Sequence, residues 1–202
     1  MARIRQYSTA EVTVAAVSAF LTATMISGCQ QSVKPQGTAD VRPTYNAETG
    51  KLDRISYDRD KDGKPDAWLF MDGTRVLRAE LDDNRDGAAD RWEFYIDEVV
   101  AAAPGQVPRG QLVKAQQSTR FDGKLSRWET YEHGVLAKVE EDTNADGKPD
   151  KWETWQGGSL QMVALDTKGT GAPDRRIDYS GGTSPTLLID RNGDGHFVAA
   201  TP

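Results

Sequence analysis

Residues 142–165 read DTNADGKPDKWETWQGGSLQMVAL, and this 24-residue stretch sets the period of the chain. It opens on Asp142-Thr143-Asn144-Ala145-Asp146-Gly147, passes through Trp152-Glu153-Thr154-Trp155, turns at Gly158 and ends on an aliphatic run. Trp68, Trp92, Trp128 and Trp152 are separated by 24, 36 and 24 residues. Asp58, Asp82, Asp142, Asp166 and Asp190 keep the same frame, with Ser118 in the remaining slot. A fixed period of this size predicts a repeat architecture.

Each unit holds two short segments, one aromatic (Trp92-Glu93-Phe94-Tyr95, Trp128-Glu129-Thr130-Tyr131) and one aliphatic (Val135-Leu136-Ala137-Lys138-Val139-Glu140). Between them stands a glycine, at Gly50, Gly73, Gly110, Gly134, Gly158 and Gly182. Runs of four to six branched or aromatic residues bounded by Gly and Asp read as strands. The fold class is therefore mostly β: 24-residue β-hairpin repeats in an antiparallel meander, closed or not (open sheet, barrel or propeller-like). All Asp-rich loops fall on one edge and the glycine turns on the other. Two strands per repeat place neighbouring loops roughly 10 Å apart, about one Debye length, so this acidic edge repels itself unless a cation intervenes. Rows of Trp and Phe on one face are expected to supply the packing, and core packing is the reading of the tryptophans ahead of a carbohydrate-stacking platform. The 36-residue interval contains a twelve-residue insertion at about 97–109, read as a surface loop, with partner binding as the alternative.

The chain begins with a different kind of segment. Arg3 and Arg5 precede a mostly apolar run from Val12 to Ile26, too short for a membrane span. It ends in Ile26-Ser27-Gly28-Cys29, which resembles the lipobox of bacterial lipoproteins. The resemblance implies a signal peptide over 1–28, cleavage before Cys29 and lipidation of Cys29. Gln30, where an Asp would favour inner-membrane retention, implies the outer membrane of a Gram-negative cell envelope. Several acyl chains on one residue anchor stably where one is marginal. Residues 29–43 are then lipidated Cys and flexible tether, and 44–202 the repeat domain. Cys29 is the single cysteine, so the domain has no internal disulfide. With Arg3, Arg5 and Glu11 removed, the net charge goes from −6 to −7. An acidic exported chain argues against nucleic acid and suits divalent cations.

Alternate oxygen-bearing side chains followed by glycine are how a short loop wraps Ca²⁺. Two loops match the full twelve-position pattern: Asp82, Asn84, Asp86, Asp90 and Glu93 with the Ala88 carbonyl, and Asp142, Asn144, Asp146, Asp150 and Glu153 with the Lys148 carbonyl. A first loop keeps Asp58, Asp60, Asp62 and Asp66 but has Leu69 in the twelfth place, and a last one offers Asp190, Asn192 and Asp194. The slots at Ser118 and Asp166 are degenerate. A carboxylate-rich set of six or seven oxygens favours Ca²⁺ over Mg²⁺. The competing reading is that Asp-Gly and Asn-Gly are simply good turn formers. Pro65, Pro149 and Pro173 at the eighth position, and the lack of flanking helices, argue against EF-hands proper. The chain resembles the thrombospondin type 3 and bacterial calcium-repeat families over the Asp loops of residues 58–195, though not in the tryptophan segments between. Its Tyr-x-x-Gly-x-Leu turns also resemble β-hairpin repeats of the MORN kind.

Catalytic motifs are missing from the sequence. His133 and His196 stand in unlike contexts, and no G-x-S-x-G, Walker or H-E-x-x-H pattern occurs. The carboxylates recur with the repeat, as ligands or turns do. The expectation is a non-enzymatic, membrane-anchored Ca²⁺-binding repeat lipoprotein, held to the membrane through Cys29 and presenting a surface to an envelope protein or glycan. A metal-independent interaction module is the alternative, and a glycan-active enzyme a more distant one.

Overall fold

A computed structural model describes residues 40–97, 110–181 and 184–200. The signal segment, Cys29, the tether through residue 39 and insertion residues 98–109 lie outside the described residues.

Thirteen antiparallel strands form one open sheet in strict sequence order. They are β1 (Val41–Tyr45), β2 (Leu52–Tyr57), β3 (Ala67–Asp72), β4 (Arg75–Leu81), β5 (Arg91–Asp97), β6 (Gly110–Gln117), β7 (Arg127–Glu132), β8 (Val135–Glu141), β9 (Lys151–Gln156), β10 (Ser159–Leu165), β11 (Arg175–Asp178), β12 (Thr186–Ile189) and β13 (Val198–Ala199). The meander and its open form settle the choice among open sheet, barrel and propeller. β1 takes in Val41, Arg42 and Pro43, which the sequence reading gave to the tether. Pro43 is tolerated there because β1, among the described residues, is an edge strand with a neighbour on one side only.

The hairpin turns follow from local chemistry. His133–Gly134 and Gly157–Gly158 join their strands as two-residue turns with φ of 52° and 75°, and 56° and 80°. Both residues at positive φ make type I′ turns, whose twist matches that of the strands. Gly110 is a correction: it is the first residue of β6, not a turn, and a Cβ there would meet Tyr95 Cβ and the Val76 carbonyl at 3.4 Å. Five of the six hairpins on the turn side also carry one register shift, at Thr44/Tyr45, Phe70/Met71, Phe94/Tyr95, Thr130/Tyr131 and Leu160/Met162, while β11–β12 pairs without one. A bulge repeated in register deepens the right-handed twist at the same height in these five hairpins.

Among the described residues no strand packs on a non-neighbour except β4 on β6, so the sheet is a single layer. One face is built on the register row Leu69, Ala79, Glu93, Ala115, Glu129, Val139, Glu153, Val163, Ile177. Small apolar residues alternate with glutamates along it. Ala115 and Val139 are fully buried, although no second layer covers them. The cover comes from long side chains that lie along the sheet. Strand alternation puts Arg91, Arg127 and Lys151 on one flank of the glutamates and Tyr95, Tyr131 and Trp155 on the other. Glu93 accepts from Arg91 Nε at 2.8 Å and the Tyr95 hydroxyl at 2.6 Å. Glu129 accepts from Arg127 Nε at 2.7 Å, Arg91 Nη2 at 2.9 Å and the Tyr131 hydroxyl at 2.8 Å. Glu153 pairs with Lys151 Nζ at 2.7 Å and accepts from Trp155 Nε1 at 3.0 Å. Burial and the Glu129 charge push the Tyr131 hydroxyl up to about 12.

The opposite face carries the row Trp68, Glu80, Trp92, Gln116, Trp128, Glu140, Trp152. These tryptophans are half-buried rather than enclosed. The expectation of core packing is corrected accordingly: with one layer, a tryptophan can cover only the strands beside it.

Candidate metal centre

The sheet brings six loops to one edge, at residues 58–66, 82–90, 118–126, 142–150, 166–174 and 190–197. All six share one backbone path. Their fourth residue is left-handed in every case (Lys61, Arg85, Phe121, Ala145, Gly169 and Gly193), and so is the sixth, always glycine. Gly147, at φ 88°, shows why: a side chain is strained there, and its N–H must reach back to Asp142.

The first Asp of each full loop organises that path. Asp142 accepts Ala145 N–H at 2.7 Å and Gly147 N–H at 3.0 Å. Asp58 holds Lys61 and Gly63, Asp82 holds Arg85 and Gly87, and Asp190 holds Gly193 and Gly195 in the same way. These four carboxylates are buried. The third residue accepts the N–H of the fifth (Asp60 from Asp62, Asn84 from Asp86, Asn144 from Asp146). The fifth accepts the N–H of the seventh, as Asp62 does from Lys64, Asp86 from Ala88, Asp146 from Lys148 and Asp194 from His196. The ninth ties down the second: Asp66 takes Arg59 N–H, Asp90 takes Asp83 and Asn84, and Asp150 takes Thr143 and Asn144. The slot at Ser118 keeps the path with other atoms, Thr119 N–H donating to Ser126 Oγ at 2.9 Å.

One loop gathers a carboxylate set. An oxygen each from Asp58, Asp60 and Asp66 lie within 4.8 Å of one another, two of these residues being buried. Asp62 is not part of that group. In three other loops the third residue is Asn, whose Nδ2 donates to the fifth: Asn84 to Asp86 at 2.9 Å, Asn144 to Asp146 at 3.4 Å, Asn192 to Asp194 at 2.7 Å. Asp90 is held above the ordinary carboxylate value by burial, with the Asp86 and Asp82 charges adding to it against two backbone N–H donors. In Asp142 burial is outweighed by the Gly147 and Ala145 N–H groups and by Arg120, and the net direction is down.

Glu93 and Glu153 are a correction to the sequence pattern. They are not brought to the loops; they stand inside β5 and β9 with both oxygens taken by neighbours on the sheet. The expected repulsion between loops is also met differently. Arg59 Nη2 donates to the Asp82 carbonyl at 2.9 Å, Arg85 pairs with Asp60 at 3.1 Å, and Arg120 donates to the Asp142 carbonyl at 2.7 Å and pairs with its carboxylate at 3.3 Å. Sequence reasoning missed these arginines. The signal was an arginine at the second, fourth or third place of three loops: Arg59, Arg85 and Arg120.

No protein-family model and no curated protein matches the chain. A solved structure, that of accessory secretory proteins 1, 2 and 3 in Streptococcus pneumoniae, is similar over 72% of this chain and 23% of that one, with 12% identity and a TM-score of 0.34. The chain thus spans less than a quarter of that protein's length, and a likeness of this grade carries no argument about fold or function.

Proposed function

We propose that the chain is a lipid-anchored, Ca²⁺-binding β-repeat protein of the cell envelope, with a structural or interaction role and no catalysis. The observation that carries the metal reading is the convergence of Asp58, Asp60 and Asp66. Three carboxylates at one loop are a hard oxygen donor set of the kind Ca²⁺ takes. Asp90, raised chiefly by burial and in smaller part by the Asp86 and Asp82 charges, marks a second loop where a cation would favour the ionised carboxylate. In the two loops that match the full pattern, Asp82, Asp86 and Asp90, and Asp142, Asp146 and Asp150, are the residues that would hold the ion. Bound Ca²⁺ would neutralise the loop and so stabilise the hairpins on either side. The lipobox-like Ile26-Ser27-Gly28-Cys29 supports the anchor.

A second reading has its own observation. All six loops keep one path, including the two whose ligand sets are degenerate, and arginines already bridge neighbours. On that reading the Asp residues are turn formers in a metal-independent interaction module. Calorimetric titration of the full chain with Ca²⁺, with Mg²⁺ as control, separates the two. Saturable Ca²⁺ binding, at a Kd of about 0.1–1 mM, and a melting temperature lowered by EDTA support the metal. Absence of heat and of any shift leaves the module.

A further inference from the structure

The tryptophan face bears a second register row, nearer the hairpin turns. On β2, β4, β6 and β8 it holds Arg54, Arg78, Lys114 and Lys138; between them, on β3 and β5, it holds Phe70 and Phe94. Cations thus recur on alternate strands, about 9.6 Å apart, twice the strand separation. Arg54 and Lys114 are exposed and make no ion pair among the described residues. Arg78 and Lys138 pair with Glu80 and Glu140 of their own strands at 2.9 and 3.0 Å. Arg78 also lies over the Phe70 ring at 4.2 Å, and Lys114 over Phe94 at 5.8 Å. The row carries four cations, two of them paired with Glu80 and Glu140, so the face keeps an excess of positive charge at Arg54 and Lys114 on a chain of net charge −6.

We propose that this face binds a linear acidic polysaccharide with one carboxylate per disaccharide, laid across the strands. Such a polymer repeats its charge on the scale of a sugar pair, which is the scale of alternate strands. Arg54 and Lys114 meet its carboxylates, and complementary charge steers and registers the chain. The Phe70 and Phe94 rings and the half-buried tryptophans offer apolar faces to the sugar rings between charges. Glu80, Gln116 and Glu140 accept from sugar hydroxyls. In a DNA duplex each strand places a phosphate about every 3.4 Å of helix axis, too often to be met one for one by cations on alternate strands. The inference rests on strand register and is independent of whether the loops bind Ca²⁺.

The test is a titration of the full chain with hyaluronan oligosaccharides in EDTA, so that failure of the metal reading leaves it untouched. Neutral chito-oligosaccharides and single-stranded DNA serve as comparisons. Hyaluronan is expected to bind, more weakly as salt rises, and the neutral oligosaccharide far less. Arg54→Gln and Lys114→Gln are each expected to weaken binding about three- to five-fold and the double variant about ten-fold or more, with thermal melts little changed because neither residue is in an ion pair among the described residues and the Lys114 contact with Phe94 is long, at 5.8 Å. Glu48→Gln, on the β1–β2 turn, is the control expected to bind as the parent does. Equal binding of the neutral sugar, tighter binding of DNA, an unchanged double variant or no binding at all would each overturn the proposal.

Discussion

Arg91 on β5 reaches over the whole of β6 to Glu129 on β7, Nη2 to Oε2 at 2.9 Å. The residue it passes is Ala115, fully buried and in register with Glu93 and Glu129. A small residue on β6 is the condition for that reach, and the ion pair in turn is Ala115's cover. Glu129, 7% exposed, is the centre of three donors.

Glu129→Gln is therefore expected to cost about 1–3 kcal/mol near neutrality, since it leaves Arg91 with Glu93 alone and Arg127 with only the 3.4 Å contact to Glu141. Burial raises the Glu129 carboxyl, but the Arg91 charge and the Arg127, Arg91 and Tyr131 hydrogen bonds outweigh it and hold it below its ordinary 4.5. A depressed carboxyl contributes stability that is present above the unfolded value and lost as pH falls through the folded one. Urea denaturation should show the parent and Glu129→Gln differing most above the ordinary value of 4.5 and converging progressively as pH falls below it. A gap of constant size would show that Glu129 acts through shape alone.

Asp82→Ala and Glu93→Ala should behave oppositely if the loops bind Ca²⁺. The first removes a loop oxygen and is expected to abolish binding at that loop. The second is expected to leave affinity unchanged while lowering stability by about 1–3 kcal/mol, because Arg91 Nε and the Tyr95 hydroxyl lose their acceptor while Arg91 Nη2 keeps Glu129. Calorimetry together with thermal melts checks both. Loss of Ca²⁺ binding in Glu93→Ala would restore that glutamate to the ligand set.

Two glycines give a contrast in backbone strain. Gly147 sits at φ 88°, so Gly147→Ala is expected to cost about 1–2 kcal/mol even though nothing lies within 4 Å of the added Cβ. Gly110 has no positive φ, and a Cβ would meet atoms at 3.4 Å, an ordinary contact distance. Gly110→Ala should change the melting temperature little. Equal effects would mean that packing rather than backbone conformation governs these sites.

Arg120 links the loops of β6–β7 and β8–β9 through Asp142. Arg120→Met is expected to destabilise by about 1 kcal/mol at low salt and by less at high salt, where charges on neighbouring loops are screened. Denaturation at two ionic strengths reads this directly. Salt-independent loss would assign the effect to the hydrogen bond with the Asp142 carbonyl.

Much of the fold was legible because its period is written in chemistry that acts locally. The Asp loops, the tight glycine turns and the branched segments each specify a few residues of backbone, and repetition makes them unambiguous. What escaped was long-range. Glu93 and Glu153 completed a local twelve-position pattern, yet their place is set by strand alternation. Arg91-x-Glu93-x-Tyr95 and Lys151-x-Glu153-x-Trp155 read, every second residue, as cation, acid and aromatic on one face. The tryptophans looked like core because alternation reveals a face but not whether a second layer lies over it. Arg59 and Arg120 act between loops that adjoin only once the sheet is built.

The strict order of the strands gives the molecule the energetics of a one-dimensional chain. Each hairpin gains stability only from the hairpins beside it, so stability accrues as a sum of unit terms and nearest-neighbour couplings. Contacts are close in sequence, which favours fast, stepwise growth over a single concerted collapse. Opening should begin at β13, only two residues long, and advance inward. A whole 24-residue unit could be gained or lost in frame by recombination, with the remaining strands still finding their old partners.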